Sequence, residues 1–265
     1  MSCRQEVSIP FYHAFCVAGL VDDCCLSNKS RERGYVFPLY LYGKESSQDS
    51  LIGLQEDSRR PNISTTFVDE ISNKLDMEYD LIGKGNLKTS FGPEDVCYYV
   101  YALLYSPTYR LRYSEQLKID FPRIPITRDK ILFEKLVEKG NALVNNHLLG
   151  QNPFVKSLDY FNVDENVNTN RTTEVVKVAF SKKECTISIN DDYRFNDVAE
   201  DIWCFNIGGY QVCEKWLKDR KGYRLSNGEI KKFKVIIVVI RETLAVMSEI
   251  DKVIDAHGGW PEAFE

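Results

Sequence analysis

A long amphipathic segment near the C-terminus constrains the fold of this 265-residue chain more than any other feature. Ser226 and Glu229 form the S-x-x-E pattern of a capping box, which marks the start of a helix. From Ile230 to Met247 apolar residues recur three or four positions apart, the spacing of one buried helix face. The pattern runs to about Ile254 and predicts a helix roughly 40 Å long at about 1.5 Å per residue. Such a helix must bury its apolar face, so the rest of the chain has to supply a core.

The remaining elements indicate an α+β protein. Helical spacing begins after Pro93 and recurs to residue 149, and aromatic and β-branched runs in 1–66 and 174–207 predict strands. We expect a single domain over residues 1–265, with a twisted mixed or antiparallel sheet. Its helical elements, at about 93–149 and 226–255, are expected to pack on those strands. Residues 83–89 lack the residue order of a phosphate loop and are predicted to form a flexible surface loop.

Composition limits the classes of function. No apolar run approaches the roughly 20 residues that a bilayer requires, and the first residues lack a signal region. The eight cysteines have no metal-type spacing, so we expect reduced thiols in a cytoplasmic protein. The three histidines, His13, His147 and His257, are expected to be structural. With no recognisable catalytic motif, we expect a chain without enzymatic activity and without a metal site.

The charge of the chain is polarised. The net charge is −5, yet residues 215–241 hold nine basic residues against two acidic ones. Aromatic and basic residues alternate in 207–224, and further basic groups lie in 28–34 and at 59–60. Arginine and lysine can contact DNA phosphates, and arginine and glutamine can read base edges. The alternative for each of these stretches is a solvated surface without a partner.

Three blocks of the sequence resemble a known family. Residues 27–42, 91–125 and 207–222 are similar, in the same order, to stretches of the C-terminal specificity domain of type ISP restriction-modification enzymes. The resemblance spans about residues 4–254. It implies a target-recognition fold that recognises double-stranded DNA sequence-specifically and directs methylation and cleavage by other modules. It also implies that those modules use S-adenosylmethionine, ATP and Mg²⁺, while this chain itself holds no cofactor.

The basic stretches and the resemblance together give a predicted DNA-binding set. Nine residues are expected to contact phosphates and two, Tyr210 and Gln211, to take part in base readout. The nine are Lys29, Arg31, Arg33, Arg59, Arg60, Lys218, Arg220, Lys221 and Arg224.

A second reading remains open. In it the chain is a protein-interaction module, whose final helix and 131–148 helix dock a methyltransferase or translocase partner with little DNA contact.

Overall fold

The structure, a computed structural model, describes residues 10–19, 21–22, 34–42, 59–148 and 172–265. In this part of the chain the α-helices are α1 (Thr65–Leu75), α2 (Pro93–Tyr105), α3 (Pro107–Arg112), α4 (Ser114–Leu117), α5 (Lys130–His147), α6 (Glu200–Trp203), α7 (Val212–Lys218) and α8 (Asn227–Ala256). A short 3₁₀ helix, Glu262–Phe264, follows.

The strands are two or three residues long. They are β1 (Tyr40–Tyr42), β2 (Arg59–Pro61), β3 (Glu78–Tyr79), β4 (Ser90–Phe91), β5 (Ala179–Ser181), β6 (Thr186–Ser188), β7 (Arg194–Phe195), β8 (Asn206–Ile207) and β9 (Tyr210–Gln211).

The predicted α+β class is confirmed, and the strands are distributed over several small sheets. The pairs β1–β2 and β8–β9 and the three-stranded β5–β6–β7 sheet are antiparallel, whereas β3 and β4 are parallel. Every pairing joins two strands that are consecutive along the chain. The single-domain organisation over 1–265 stays a prediction.

The predicted C-terminal helix is confirmed as α8. Its first turn has the expected capping box, in which the Ser226 hydroxyl accepts from the Glu229 N–H and the Glu229 carboxylate accepts from the Ser226 N–H. Its apolar face, which includes Phe233 and Ile250, is buried. No helix in the described part of the chain is long and apolar enough to cross a membrane.

Three helices, α2, α5 and α8, form the centre of the core. Tyr99 of α2 and Phe133 of α5 are fully buried, with ring centroids 5.0 Å apart. The helices α2 and α5 approach most closely at Gly140, where an added Cβ would lie 1.8 Å from the carbonyl oxygen of Tyr98. A side chain at this position would therefore force the two helices apart.

A buried polar group joins the same three helices. The Tyr101 hydroxyl lies 2.6 Å from Nδ1 of His147, and Nε2 of His147 lies 3.0 Å from Oγ1 of Thr243. Burial lowers the pKa of His147 to about 4, so the ring is neutral and structural. The Thr243 hydroxyl donates to the carbonyl of Val239, so Nε2 donates to Thr243, and Nδ1 of the neutral ring accepts from Tyr101.

The close contact at Gly140 generates a stability prediction. We expect Gly140→Ala to lower the free energy of unfolding by about 1–3 kcal/mol, because the methyl group overpacks the α2–α5 contact. Gly228→Ala in the first turn of α8 is the matched control, since a Cβ there meets nothing within 4 Å. The control should raise the free energy by about 0.5–1 kcal/mol through helix propensity. Urea titration followed by circular dichroism measures both, and equal effects would contradict the prediction.

The buried His147 generates a prediction about pH. Between pH 6.5 and about 4 the unfolded chain binds a proton at His147 that the folded protein does not bind. The free energy of unfolding should therefore fall as the pH is lowered through this range. In His147→Gln this slope should be smaller by up to about 1.4 kcal/mol per pH unit. Urea titrations of the two proteins at several pH values measure the difference, and identical slopes would contradict the neutral state of His147.

Candidate nucleic-acid interface

The hairpin β8–β9 positions the two predicted base-reading residues. Its strands are joined by a two-residue turn, Gly208-Gly209, in which Gly208 has φ 54°. A positive φ at the first central position is typical of tight hairpin turns and favours glycine there. The Gly208 N–H donates to the carbonyl of Tyr12 at 2.7 Å. The hairpin, with Tyr210 and Gln211 on β9, is therefore fixed against the N-terminal segment.

Both residues of β9 already have contacts within the protein. The ammonium of Lys215 lies 5.4 Å from the ring centroid of Tyr210. The Gln211 amide donates to the carbonyl of Trp203. Both side chains are half-buried. Their part in base readout stays a prediction, and the bond to Trp203 occupies one of the donors of Gln211.

Arg220 holds the end of α7 against the start of α8. Its guanidinium carbon lies 3.7 Å from the ring centroid of Trp216, and Nη1 donates to the carbonyl of Trp216 at 3.0 Å. Its Nε donates to the Glu229 carboxylate at 3.2 Å. Hydrogen bonds from the backbone and hydroxyl of Ser226, together with Arg220, lower the pKa of Glu229 and keep it charged. Arg220 is half-buried, and its contacts with Trp216 and Glu229 hold the two helices together.

The three other predicted cations of this region are exposed. We call Lys218, Lys221 and Arg224 the basic turn. Lys218 forms an ion pair with Glu214 at 2.8 Å. Lys221 and Arg224 form no ion pair or side-chain hydrogen bond with any residue that the structure describes. These two cations are therefore available to an anionic partner.

The backbone of the basic turn is fixed by pairing with an upstream segment. The Gly222 N–H donates to the carbonyl of Val175 at 2.8 Å, and the Val175 N–H donates to that of Tyr223 at 3.0 Å. This segment carries Lys177, an exposed cation two residues beyond Val175. Lys177 was not predicted from the sequence, because only the folded chain pairs its segment, at Val175, with residues more than forty positions away. Tyr223 is 70% exposed and adds an aromatic ring to this surface.

The remaining predicted residues lie elsewhere. Arg59 and Arg60 belong to β2, where the guanidinium of Arg59 lies 4.8 Å from the ring centroid of Tyr40 and Arg60 is exposed. Lys29, Arg31 and Arg33 lie outside the described residues. The predicted set is therefore divided between at least two structural elements. Within the described ranges, no group of three or more His, Cys, Asp or Glu side chains is arranged to hold a metal ion.

A model of one protein family matches residues 1–249, and its description is the type ISP C-terminal specificity domain. The chain belongs to this family. The predicted relationship is thereby confirmed, and the type of domain is one of recognition rather than of catalysis. No curated protein sequence matches this type ISP specificity domain significantly.

Two solved structures share the fold of this specificity domain. One is the ATP-dependent type ISP restriction-modification enzyme LlaBIII bound to DNA, with a TM-score of 0.50 and 20% identity over 80% of this chain. The other is the DrdV–DNA complex, with a TM-score of 0.51 and 18% identity over 72% of this chain. The chain spans 13% and 20% of the lengths of those two chains.

The contacts of Arg220 generate a prediction that separates it from its neighbour. We expect Arg220→Ala to lower the free energy of unfolding by about 1–3 kcal/mol, because it removes the stacking on Trp216 and two hydrogen bonds. Lys221→Ala, one position further, should change it by less than about 0.5 kcal/mol because its side chain is exposed. Thermal and urea unfolding measure both variants, and an equal loss in the two would refute the positioning role of Arg220.

Proposed function

We propose that this specificity domain recognises double-stranded DNA sequence-specifically, has no catalytic activity of its own, and directs methylation and cleavage by other modules. The observation that carries the proposal is the basic turn. It presents cations without a carboxylate partner and an exposed aromatic ring, and backbone hydrogen bonds to an upstream segment fix its position. Lysine and arginine side chains on a fixed scaffold are suited to phosphates at a set spacing. The two structures that share the fold, LlaBIII and DrdV, are both described as complexes with DNA, which supports the proposal.

The phosphate contacts would come from Lys218, Lys221 and Arg224, with Lys177 beside them. Of the other predicted residues, Arg220 supports the turn. Tyr210 and Gln211 lie on the adjoining hairpin, from which they would take part in base readout.

The whole enzyme would carry the chemistry in other modules. We propose methyltransferase, translocase and nuclease modules as partners, either fused to this domain or in trans, and a cytoplasmic location. S-adenosylmethionine, ATP and Mg²⁺ would bind to those modules, and this chain would hold none of them.

Docking of a methyltransferase or translocase module with little DNA contact is the second candidate function. The two helices first considered for it are unsuitable, because the apolar faces of α5 and α8 are buried inside the core. An exposed aromatic cluster favours it instead. The rings of Tyr35 and Phe37 pack edge-on against Phe121, at 5.2 and 5.8 Å, and all three are exposed.

The DNA-binding proposal predicts the effect of reversing the unpaired charges. We expect Lys221→Glu with Arg224→Glu to weaken binding of fluorescein-labelled duplexes at low salt at least tenfold in fluorescence anisotropy. The slope of log K against log salt should become shallower by about 2, because each lost phosphate contact removes about 0.9.

The matched control is Arg128→Glu with Lys252→Glu, which reverses one arginine and one lysine as well. Both residues are exposed, and Lys252 lies about 35 Å along α8 from Glu229. This control should keep most of the affinity and the slope. Equal losses in the two double variants would show that only net charge matters. An absence of duplex binding by the wild-type chain would refute the proposal of DNA recognition and favour the docking function.

A further inference from the structure

The segment between β3 and β4 is a rigid loop. The side-chain oxygen of Asn86 accepts hydrogen bonds from the backbone N–H groups of Lys88, Thr89 and Ser90, at 2.9, 2.8 and 3.2 Å. The Leu87 N–H donates to the carbonyl of Ser90 at 2.9 Å. The surface loop predicted for residues 83–89 is present, and one asparagine side chain organises its turn.

A buried carboxylate anchors this loop to the core. Asp95 of α2 is 1% exposed, and its Oδ2 accepts from the N–H groups of Gly85 and Gly92, at 2.7 and 2.9 Å. A Cβ on Gly85 would lie 2.4 Å from the backbone of Ser90, and one on Gly92 would lie 2.3 Å from the carbonyl oxygen of Gly83. Glycine is thus required at both positions, and Asp95 connects the loop to the first turn of α2.

The rigid loop exposes two large apolar side chains and two lysines. Leu81 is 69% exposed and Ile82 is 53% exposed. Lys84 and Lys88 are exposed and form no ion pair with a described residue, although the ammonium of Lys84 lies 4.8 Å from the ring centroid of Tyr98. Adjacent exposed apolar residues on a backbone that is this well fixed are typical of a contact surface.

The β1–β2 ribbon adds one arginine next to this loop. The Gly83 N–H donates to the hydroxyl of Tyr40 at 2.9 Å, and the guanidinium of Arg59 lies over the ring of the same tyrosine. Arg60, the next residue, is exposed on the opposite face of the ribbon, because successive side chains of a strand alternate between its two faces. The loop and the ribbon therefore form one continuous surface.

We propose that this surface is a second DNA-contact element, in which Arg59, Lys84 and Lys88 contact phosphates and Leu81 and Ile82 contact bases in a groove. The inference rests on the proposed function and extends it to residues 81–89, which were not in the DNA-binding set predicted from the sequence. Cations beside apolar side chains match the two kinds of surface that a duplex presents, its phosphates and the faces and methyl groups of its bases. Glu78 of β3 and Asp80 just after it reduce the net charge of this surface, so the contact depends on individual side chains and not on a broad field.

Two double variants test the two halves of this surface. Lys84→Glu with Lys88→Glu should weaken binding of labelled duplexes roughly tenfold at low salt and make the salt slope shallower by about 2. Leu81→Ala with Ile82→Ala should weaken binding about fivefold and leave the slope unchanged, because the pair carries no charge. If loss of the Lys84 contact with Tyr98 destabilises the first variant, Lys88→Glu alone should still make the salt slope shallower by about 1.

The control for these variants is Lys183→Glu with Lys252→Glu, which reverses two exposed lysines on other elements and should bind as the wild type does. If the basic-turn variant Lys221→Glu with Arg224→Glu loses affinity while both loop variants bind like the wild type, the second contact is refuted and the proposed function stands. If the wild-type chain binds no duplex, both are refuted. A loss in the loop variants and not in the control supports the inference.

Discussion

The close packing of α2 against α5 at Gly140 is the constraint on which the rest of the structure depends. It lets the buried aromatic residues of the two helices meet, and it brings His147 to Tyr101 on one side and Thr243 on the other. The long helix α8 is thereby fixed on the same core. Because the N-terminal ends of α2 and α8 each adjoin one of the two candidate DNA-contact surfaces, the packing of the helices determines where those surfaces lie.

Both surfaces are attached to the core by the same interaction, a carboxylate at the third position of a helix. The third residue of α2 is Asp95 and that of α8 is Glu229, and each accepts a hydrogen bond from the backbone of its own N-cap residue. Each carboxylate also binds a neighbouring segment, Asp95 through the N–H of Gly85 and Glu229 through the guanidinium of Arg220. Carboxylates at these positions are favoured by the helix dipole as well. A capping residue thus stabilises its helix and positions a surface segment at the same time.

The sequence predicted the local features well and the long-range ones poorly. The helix α8 was predictable because its capping box and its periodicity lie within one stretch. The basic turn was visible as a run of cations, but the engagement of Arg220 with Trp216 and Glu229 depends on the packing of α7 on α8. Lys177 was missed because its segment pairs with residues distant in sequence, and the hydrogen bonds that organise the 83–89 loop depend on a turn geometry that the sequence does not show. The division of the strands into small sheets depends likewise on pairing that short runs do not specify.

A net charge of −5 is compatible with DNA contact because net charge is a sum over the whole chain, whereas phosphate binding depends on the few cations that have no carboxylate partner. Lys215, Lys218 and Lys139 are each paired with a carboxylate within 2.8 Å, whereas Lys221, Arg224 and Lys88 have no such partner there. Phosphate binding is then carried by a few unpaired cations on fixed backbone, and affinity rises with the number of those contacts rather than with net charge. Under the proposed function, a domain that contributes so few contacts would share its duplex with the methyltransferase, translocase and nuclease modules.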